Sequence, residues 1–157
     1  MANATDTPRS DTVPDTVPDT VPDTRSVLLY DGDCGFCAGS VQFVLRHEPP
    51  AARARLAFAP LQGPFGSRVR AQFPELLGVD SVVWYDPSEP SVRVRSAAAL
   101  AAVAHLGGVW AVAAALGRVV PRPLRDAVYD LIARRRFEMS APACLVPTPE
   151  ERSRFLS

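Results

Sequence analysis

Residues 27–37 read Val-Leu-Leu-Tyr-Asp-Gly-Asp-Cys-Gly-Phe-Cys. The apolar run at 27–30 predicts a buried strand, and the Asp-Gly-Asp that follows predicts a tight turn. Cys34 and Cys37 then open a helical pattern. Because residues three apart lie on one face of a helix, the two thiols can come close enough to form a disulfide. This order of strand, turn and Cys-x-x-Cys helix start indicates a redox site.

The position of the cysteine pair at a helix start supports this interpretation. The first turn of a helix has unpaired backbone N–H groups and a partial positive charge of about half a unit, which favours a thiolate over a thiol. We therefore expect Cys34, nearer the helix terminus, to be the exposed attacking thiolate. Cys37, one turn deeper, is then the resolving thiol that closes the disulfide and releases a substrate.

The segment around the cysteines resembles a known family. Residues 30–37, followed by Ser-Val-Gln-Phe at 40–43, look like the active-site segment of the DCC family of thiol–disulfide oxidoreductases. The resemblance implies an α/β protein with a thioredoxin-like fold. Because the family is named for one Asp and two Cys, it also implies a catalytic set made of Asp31, Cys34 and Cys37.

A second block near the C-terminus supports the same resemblance. It comprises Arg-Asp-Ala-Val-Tyr-Asp at 125–130, Ala-Arg at 133–134 and Cys-Leu-Val-Pro-Thr-Pro-Glu at 144–150. The resemblance spans about residues 26–155. Two blocks in the right order are more specific than a Cys-x-x-Cys pair alone.

The sequence leaves two roles open for Asp31, which lies three residues before Cys34. Its carboxylate could relay a proton to or from the resolving thiol. It could instead hold the turn by accepting backbone N–H bonds. Asp33 is expected to cap the helix, because its carboxylate can accept an N–H of the first turn.

Composition narrows the function classes. The 157 residues carry a formal net charge of zero, which favours neither nucleic acid nor an anionic membrane as a partner. All 17 basic residues are Arg, an imbalance that we attribute to the codon bias of a GC-rich bacterial genome rather than to phosphate binding. Three cysteines do not make a disulfide scaffold. With no basic segment followed by an apolar one at the N-terminus, the expected compartment is the reducing cytoplasm.

The first 25 residues differ from the rest. Asp-Thr-Val-Pro repeats start at Asp11, Asp15 and Asp19. Proline at every fourth position forbids a continuous helix, and the apolar content is too low for collapse. We predict a disordered tail over 1–25 and a single domain over 26–157.

The remaining pattern predicts the order β-α-β-α-β-β-α, with additional C-terminal helices. This is the thioredoxin arrangement, with a βαβ unit at its start. The predicted elements are a strand at 27–30, a helix at 34–47, a strand at 56–59, an irregular helix at 63–77 interrupted at Pro74, strands at 81–85 and 92–95, and a helix from Ser96.

The C-terminal third contains a long uncharged stretch. Residues 96–117 have no charged side chain, but Gly107-Gly108 and His105 interrupt the stretch, so two short buried helices fit better than a membrane span. Pro121 and Pro123 then start another helix. Its expected apolar face consists of Leu124, Val128, Leu131 and Ile132.

Two other functions are compatible with the cysteines. A metal-binding module would use Cys34 and Cys37 as thiolate ligands, although no second ligand pair lies at short spacing and both His47 and His105 are isolated. A non-catalytic interaction domain on a thioredoxin-like scaffold would not need the cysteines. Cys144 is interpreted as a small buried residue that anchors the tail, with a third redox thiol as the alternative.

The redox interpretation predicts the partners. They are a protein or small-molecule disulfide as substrate and a thiol as electron donor, with no cofactor. Thioredoxins place a cis-proline just before the third strand, where it helps to dock substrate backbone. Residues 78–81, Gly-Val-Asp-Ser, contain no proline, so that docking mode does not carry over.

Overall fold

The computed structural model describes residues 24–139 and 147–156. Nearly all of the predicted disordered tail lies outside the described residues, and so does Cys144. Within the described ranges, the strand and helix order predicted from the sequence is confirmed.

The centre of the fold is a four-stranded mixed sheet. Its strands are β1 Ser26–Tyr30, β2 Leu56–Pro60, β3 Val83–Tyr85 and β4 Arg93–Val94. The order across the sheet is β2-β1-β3-β4, with β1 parallel to β2, and with β3 antiparallel to both β1 and β4. This topology is thioredoxin-like, as predicted.

In the described part of the chain, seven helices accompany the sheet: α1 Gly35–His47, α2 Pro50–Arg53, α3 Pro64–Gln72, α4 Arg95–His105, α5 Gly108–Val119, α6 Arg122–Met139 and α7 Pro149–Arg152. A 3₁₀ turn, Pro74–Leu76, interrupts the helical region after α3, at the proline that the sequence singled out. The short helices α2 and α7 were not predicted. Both begin at a proline, which suits the first position of a helix because its missing N–H would have no partner there.

Alternating residues of β1 supply two separate cores. Leu28 and Tyr30 pack with the cysteine pair, α1 and α4 on one face of the sheet. Val27 and Leu29 pack on the other face, against the apolar side of α3. Because successive side chains of a strand point to opposite faces, a strand that is buried along its whole length indicates a sheet covered on both sides.

One expectation for the C-terminal helices, the burial of α5, is wrong. Helix α5 was predicted to be buried, yet Ala114 is its one buried residue, and Val109 and Val119 are 75% and 80% exposed. The four residues of the predicted apolar face of α6 do lie in that helix, and they are exposed: Leu124, Val128, Leu131 and Ile132. An apolar pattern shows that a helix face is apolar, but it does not show which element covers that face. No helix in the described part of the chain is long and apolar enough to cross a membrane.

The C-terminal segment completes the sheet at its β2 edge. The N–H of Phe58 donates to the carbonyl of Arg154 at 2.8 Å, and the N–H of Leu156 donates to the carbonyl of Phe58 at 2.8 Å. The ring of Phe155 stacks on that of Phe58, with 5.2 Å between centroids. These contacts cover an edge that would otherwise offer unpaired backbone groups.

Arg154 also enters a buried cluster of charged groups. Its guanidinium contacts both carboxylate oxygens of Glu48, at 2.9 Å and 2.8 Å. Nε2 of His105 lies 2.7 Å from Oε1 of the same carboxylate. The Glu48 side chain is fully buried at the end of α1. This cluster, the Glu48 cluster, joins α1, α4 and the C-terminal segment.

Candidate active site

The turn between β1 and α1 is held by Asp31. Its Oδ1 accepts the backbone N–H of Asp33 at 3.1 Å, and its backbone carbonyl accepts the N–H of Cys34 at 3.2 Å. Oδ1 also accepts a 2.7 Å hydrogen bond from the side-chain amide of Gln62. The Gln62 Oε1 in turn accepts the N–H of Gly32 at 3.1 Å. Asp31 and Gln62 together therefore fix the loop that presents the first cysteine.

Gln62 was missed by sequence reasoning, although one signal could have found it. It follows β2 by two residues, and β2 is the parallel neighbour of β1. The carboxyl ends of neighbouring parallel strands lie at the same edge of a sheet. A polar residue just after the second strand is therefore expected beside the turn that follows the first strand.

The capping prediction for Asp33 is wrong. The first helical residue is Gly35, and the N-cap position belongs to Cys34, whose carbonyl accepts the N–H of Ala38 at 3.0 Å. Asp33 therefore lies one residue too early to cap the helix, and it is exposed. The first turn of α1 contains no acidic side chain. Cys34 is thus the residue that lies at the positive end of the helix dipole.

The expected exposure of Cys34 is also wrong. Cys34 is 4% exposed and Cys37 is 2% exposed, and both are thiols in this structure. The two side chains belong to one apolar cluster with Leu28, Tyr30 and Val82. The N-cap side chain faces this core, and no sequence spacing predicts that orientation.

The loop before β3 lies beside the same turn. The ladder between β1 and β3 pairs Leu29 with Val83. Val82, directly before β3, belongs to the same apolar cluster as Tyr30, the last residue of β1. None of the peptide bonds in the described ranges is cis. The loop thus has the place of the thioredoxin substrate-docking loop but not its cis-proline.

The second block of the family resemblance attaches α6 to this end of the sheet. Asp126 accepts a hydrogen bond from the hydroxyl of Ser96, and Nε of Arg125 donates to the same hydroxyl at 3.2 Å. Asp130 forms a 3.7 Å ion pair with Arg95. Arg95 and Ser96 directly follow β4, so these contacts hold α6 against the start of α4. In the part of the block at residues 125–130, these contacts position a helix.

The two histidines have partners away from the cysteines. His105 is bonded to Glu48, and Nδ1 of His47 lies 2.8 Å from the carbonyl of Phe43. Within residues 24–139 and 147–156, no three His, Cys, Asp or Glu side chains are grouped so that they could hold a metal ion. The metal-binding alternative therefore gains no further ligand in this part of the chain.

A four-stranded thioredoxin-like sheet with Cys-x-x-Cys at the start of its first helix defines a class of proteins that carry thiol–disulfide chemistry. Comparison with known families agrees: the model described as DCC1-like thiol-disulfide oxidoreductase matches residues 28–141. The chain belongs to this family.

One relative is the Bacillus subtilis (strain 168) protein named uncharacterized protein YuxK. It is 34% identical over 133 residues, which cover 83% of this chain and 93% of the relative. No solved structure matches the chain significantly.

Proposed function

We propose that the protein reduces disulfides through the Cys34–Cys37 pair, with proteins as its substrates. Membership of the DCC1-like family supports thiol–disulfide oxidoreductase activity in general. The observation that carries the finer proposal is the position of Cys34 at the N-cap of α1, with Cys37 three residues later in the same apolar cluster.

The proposed reaction has two exchange steps. The Cys34 thiolate attacks one sulfur of the substrate disulfide, so that a Cys34–substrate disulfide forms and the other substrate sulfur leaves as a thiolate, which takes up a proton. The Cys37 thiolate, formed by loss of its proton to solvent, then attacks the sulfur of Cys34 and displaces the second substrate thiolate. Two electrons have passed from the dithiol to the substrate. A thiol donor restores the dithiol by the reverse exchange.

We propose that Asp31 positions this chemistry through the turn. Its observed hydrogen bonds hold the backbone of residues 31–34 and account for an aspartate at this site without a proton relay. We further propose the reducing cytoplasm as the compartment, since three cysteines suit a redox pair better than a secreted scaffold. In that compartment the net direction is reduction of the substrate. Because the formal net charge is zero, we propose no nucleic acid as a partner.

The first experiment is a thiol count by alkylation and intact mass, after the metal-free protein has been equilibrated across glutathione redox buffers. We expect two thiols to be lost together at one defined potential while Cys144 stays alkylatable. If all three cysteines remain alkylatable at every potential, the redox proposal is wrong. Metal analysis of the purified protein then tests the thiolate-ligand alternative.

Single substitutions separate the two roles. Cys37→Ser should accumulate a mixed disulfide with substrate, because the resolving thiol is absent, whereas Cys34→Ser should form none. Equal reactivity of the two variants toward a disulfide substrate would overturn the assignment. The non-catalytic interaction domain predicts a different result. The parent protein would then show no exchange activity, and Cys34→Ser would bind the partner as tightly as the parent does.

A further inference from the structure

An apolar cavity lies between α1, α4 and α6, and its lining on α1 begins two residues after Cys37. Its volume is about 460 Å³, and Gly39, Phe43, Val82 and Ile132 are among the residues that line it. Phe43 and Ile132 are 36% and 40% exposed, so these lining residues are open to solvent. The volume falls in the range of about 300–1,000 Å³ that is usual for small-molecule sites.

The cavity is continuous with the surroundings of the cysteines. Gly39 follows Cys37 by two residues on α1. Leu28, Val44 and Val82, which line the cavity, belong to the apolar cluster that contains both cysteines. The α1 residues that line the cavity therefore lie within about two helical turns of Cys37 along the helix.

Packing does not explain why residue 39, which lines the cavity, is a glycine. A glycine inside a helix destabilises it by roughly 0.5–1 kcal/mol relative to alanine. A Cβ built at Gly39 would meet no atom within 4 Å, so no neighbouring element needs the glycine for close approach. The helical glycine Gly66 shows the opposite case, because its Cβ would lie 2.4 Å from the carbonyl oxygen of Leu61. Close packing therefore requires a glycine at position 66, whereas no neighbouring atom requires one at position 39.

The lining defines the chemistry of an occupant. No lining residue of the cavity carries a charged side chain, and the side-chain polar groups are the hydroxyls of Ser40 and Tyr129. An uncharged, apolar group fits this surface. Small hydrophilic disulfides have no such group to place there, whereas a polypeptide does when an apolar residue stands beside its cysteine.

A second hollow on the other side of Tyr129 favours a polypeptide over a small apolar molecule. It has a volume of about 400 Å³, and its lining combines the polar side chains of Ser81, Arg95 and Asp130 with apolar ones such as Val79. Tyr129 lines both spaces. An extended chain crossing Tyr129 would place an apolar side chain in the first space and polar backbone or side chains in the second. Ser81 precedes β3 and Arg95 follows β4, so by the strand directions the second space lies at the end of the sheet where β1 leads into the Cys-x-x-Cys turn.

We propose that the cavity is a docking subsite for an apolar side chain next to the disulfide cysteine of a polypeptide substrate, and that Gly39 keeps it open. The proposal rests on the function proposed above and names the substrate feature that the site selects. The subsite lowers the barrier to the first exchange step by holding the substrate disulfide at Cys34.

The test uses two synthetic pentapeptides of equal length and charge, each with its cysteine linked as a mixed disulfide to 2-nitro-5-thiobenzoate. One peptide has Leu beside the cysteine and the other has Ser. Each rate of reaction with the full-length protein is divided by the rate of the same protein with 2-hydroxyethyl disulfide. We expect the Leu peptide to react roughly tenfold or more faster than the Ser peptide, since burial of one such side chain changes rates by about that factor.

Two variants test whether the cavity causes the difference between the two peptide rates. Gly39→Leu fills the cavity and should bring the ratio of the two peptide rates close to one. Gln42→Leu adds the same side chain to the same helix at a residue that does not line the cavity, and the ratio should stay as in the parent protein. Circular dichroism and the mass in solution are recorded for each protein. A folded, monomeric Gly39→Leu variant with an unchanged ratio would overturn the subsite.

Failure of the subsite and failure of the proposed function give different results. If the two peptides react equally while 2-hydroxyethyl disulfide is reduced, the subsite is wrong and the redox function stands. If no disulfide is reduced, the function fails, and the subsite fails with it. If Gly39→Leu changes the oligomeric state rather than the rate ratio, the cavity receives a second copy of the chain and the proposal is overturned.

Discussion

The side-chain amide of Gln62 spans the active-site turn, donating to Oδ1 of Asp31 at 2.7 Å while its own oxygen accepts the N–H of Gly32 at 3.1 Å. The amide therefore links the end of β2 to the end of β1, where the turn between β1 and α1 begins. We propose on this basis that Asp31 has a structural role separate from any role in proton transfer.

Substitution of Asp31 tests that separation. Asp31→Asn keeps an oxygen that can accept both hydrogen bonds, so we expect its unfolding free energy to stay within about 0.5 kcal/mol and the pH profile of disulfide reduction to stay unchanged. Asp31→Ala loses both bonds, and we expect a loss of about 1 kcal/mol in stability and about tenfold in rate, because the cysteine is misplaced. Urea unfolding and the pH dependence of the rate measure the two effects.

Gln62→Ala is the control for this prediction. It should resemble Asp31→Ala in direction, because it removes the same link from the other side. A shifted pH profile in Asp31→Asn, with normal stability, would assign the carboxylate to proton transfer instead.

The Glu48 cluster should contribute strongly to stability. Arg154→Ala leaves the Glu48 carboxylate buried without its guanidinium partner, which is expected to cost about 3–5 kcal/mol. The Arg93–Glu89 pair supplies a matched comparison, since it joins two partly exposed side chains on the surface. Arg93→Ala should cost no more than about 1 kcal/mol. Urea unfolding of the two variants gives both values, and similar losses would show that the buried cluster adds nothing special.

The same cluster predicts an acid-sensitive fold. Burial alone would raise the pKa of Glu48, but the hydrogen bonds from His105 and Arg154, with the positive charges of these residues, bring it below its ordinary value of 4.5. The unfolded chain therefore takes up this proton at a higher pH than the folded protein does. The resulting stability is fully present above about pH 4.5 and is lost as the pH falls through the lower folded pKa.

The measurement is the unfolding free energy from about pH 3 to about pH 7. Glu48→Gln should flatten the acid limb of this curve even though it lowers stability throughout. Part of the limb should remain, because hydrogen bonds from Ser88 lower the pKa of Asp86 as well. An unchanged acid limb in Glu48→Gln would show that other carboxylates determine the pH dependence.

Two helical glycines should respond to alanine in opposite directions. Gly39→Ala is expected to stabilise the protein by about 0.5–1 kcal/mol, because the methyl group meets no other atom and the helix loses a glycine. Gly66→Ala should destabilise it by about 1–3 kcal/mol, because its Cβ would lie 2.4 Å from one backbone oxygen and 2.6 Å from another. Urea unfolding reports both changes. Destabilisation by Gly39→Ala would mean that an element of the fold does need that glycine.

The sequence predicted the parts of this fold that have strong local signals. The apolar run of β1, the turn after it and the Cys-x-x-Cys helix are contiguous, so their types and order could be derived without tertiary information. Cys34 was correctly expected at the helix start, but its burial depends on which way an N-cap side chain packs. Helix α5 was predicted to be buried because it is apolar, and its exposure depends on neighbours that no pattern specifies.

Contacts between distant residues were beyond prediction. Glu48 is 57 positions from His105 and 106 positions from Arg154, and none of the three stands in a recognisable motif. A single glutamate at the end of a helix is usually solvated, and nothing near it in the sequence indicates a buried partner. The Asp31–Gln62 bond lies between these cases, because parallel pairing of the first two strands was predicted and would have brought both residues to one edge.

The distance between Glu48 and Arg154 along the chain has a consequence for biogenesis. During synthesis, the redox helix and β2 leave the ribosome long before residue 154 has been made. Until then, β2 has an open edge and Glu48 lacks its guanidinium partner. Closing a loop of 106 residues carries a large entropic cost, so we expect this contact to form late in folding. We therefore expect a stage of synthesis in which both thiols of the Cys-x-x-Cys pair are present while the β2 edge is still uncovered.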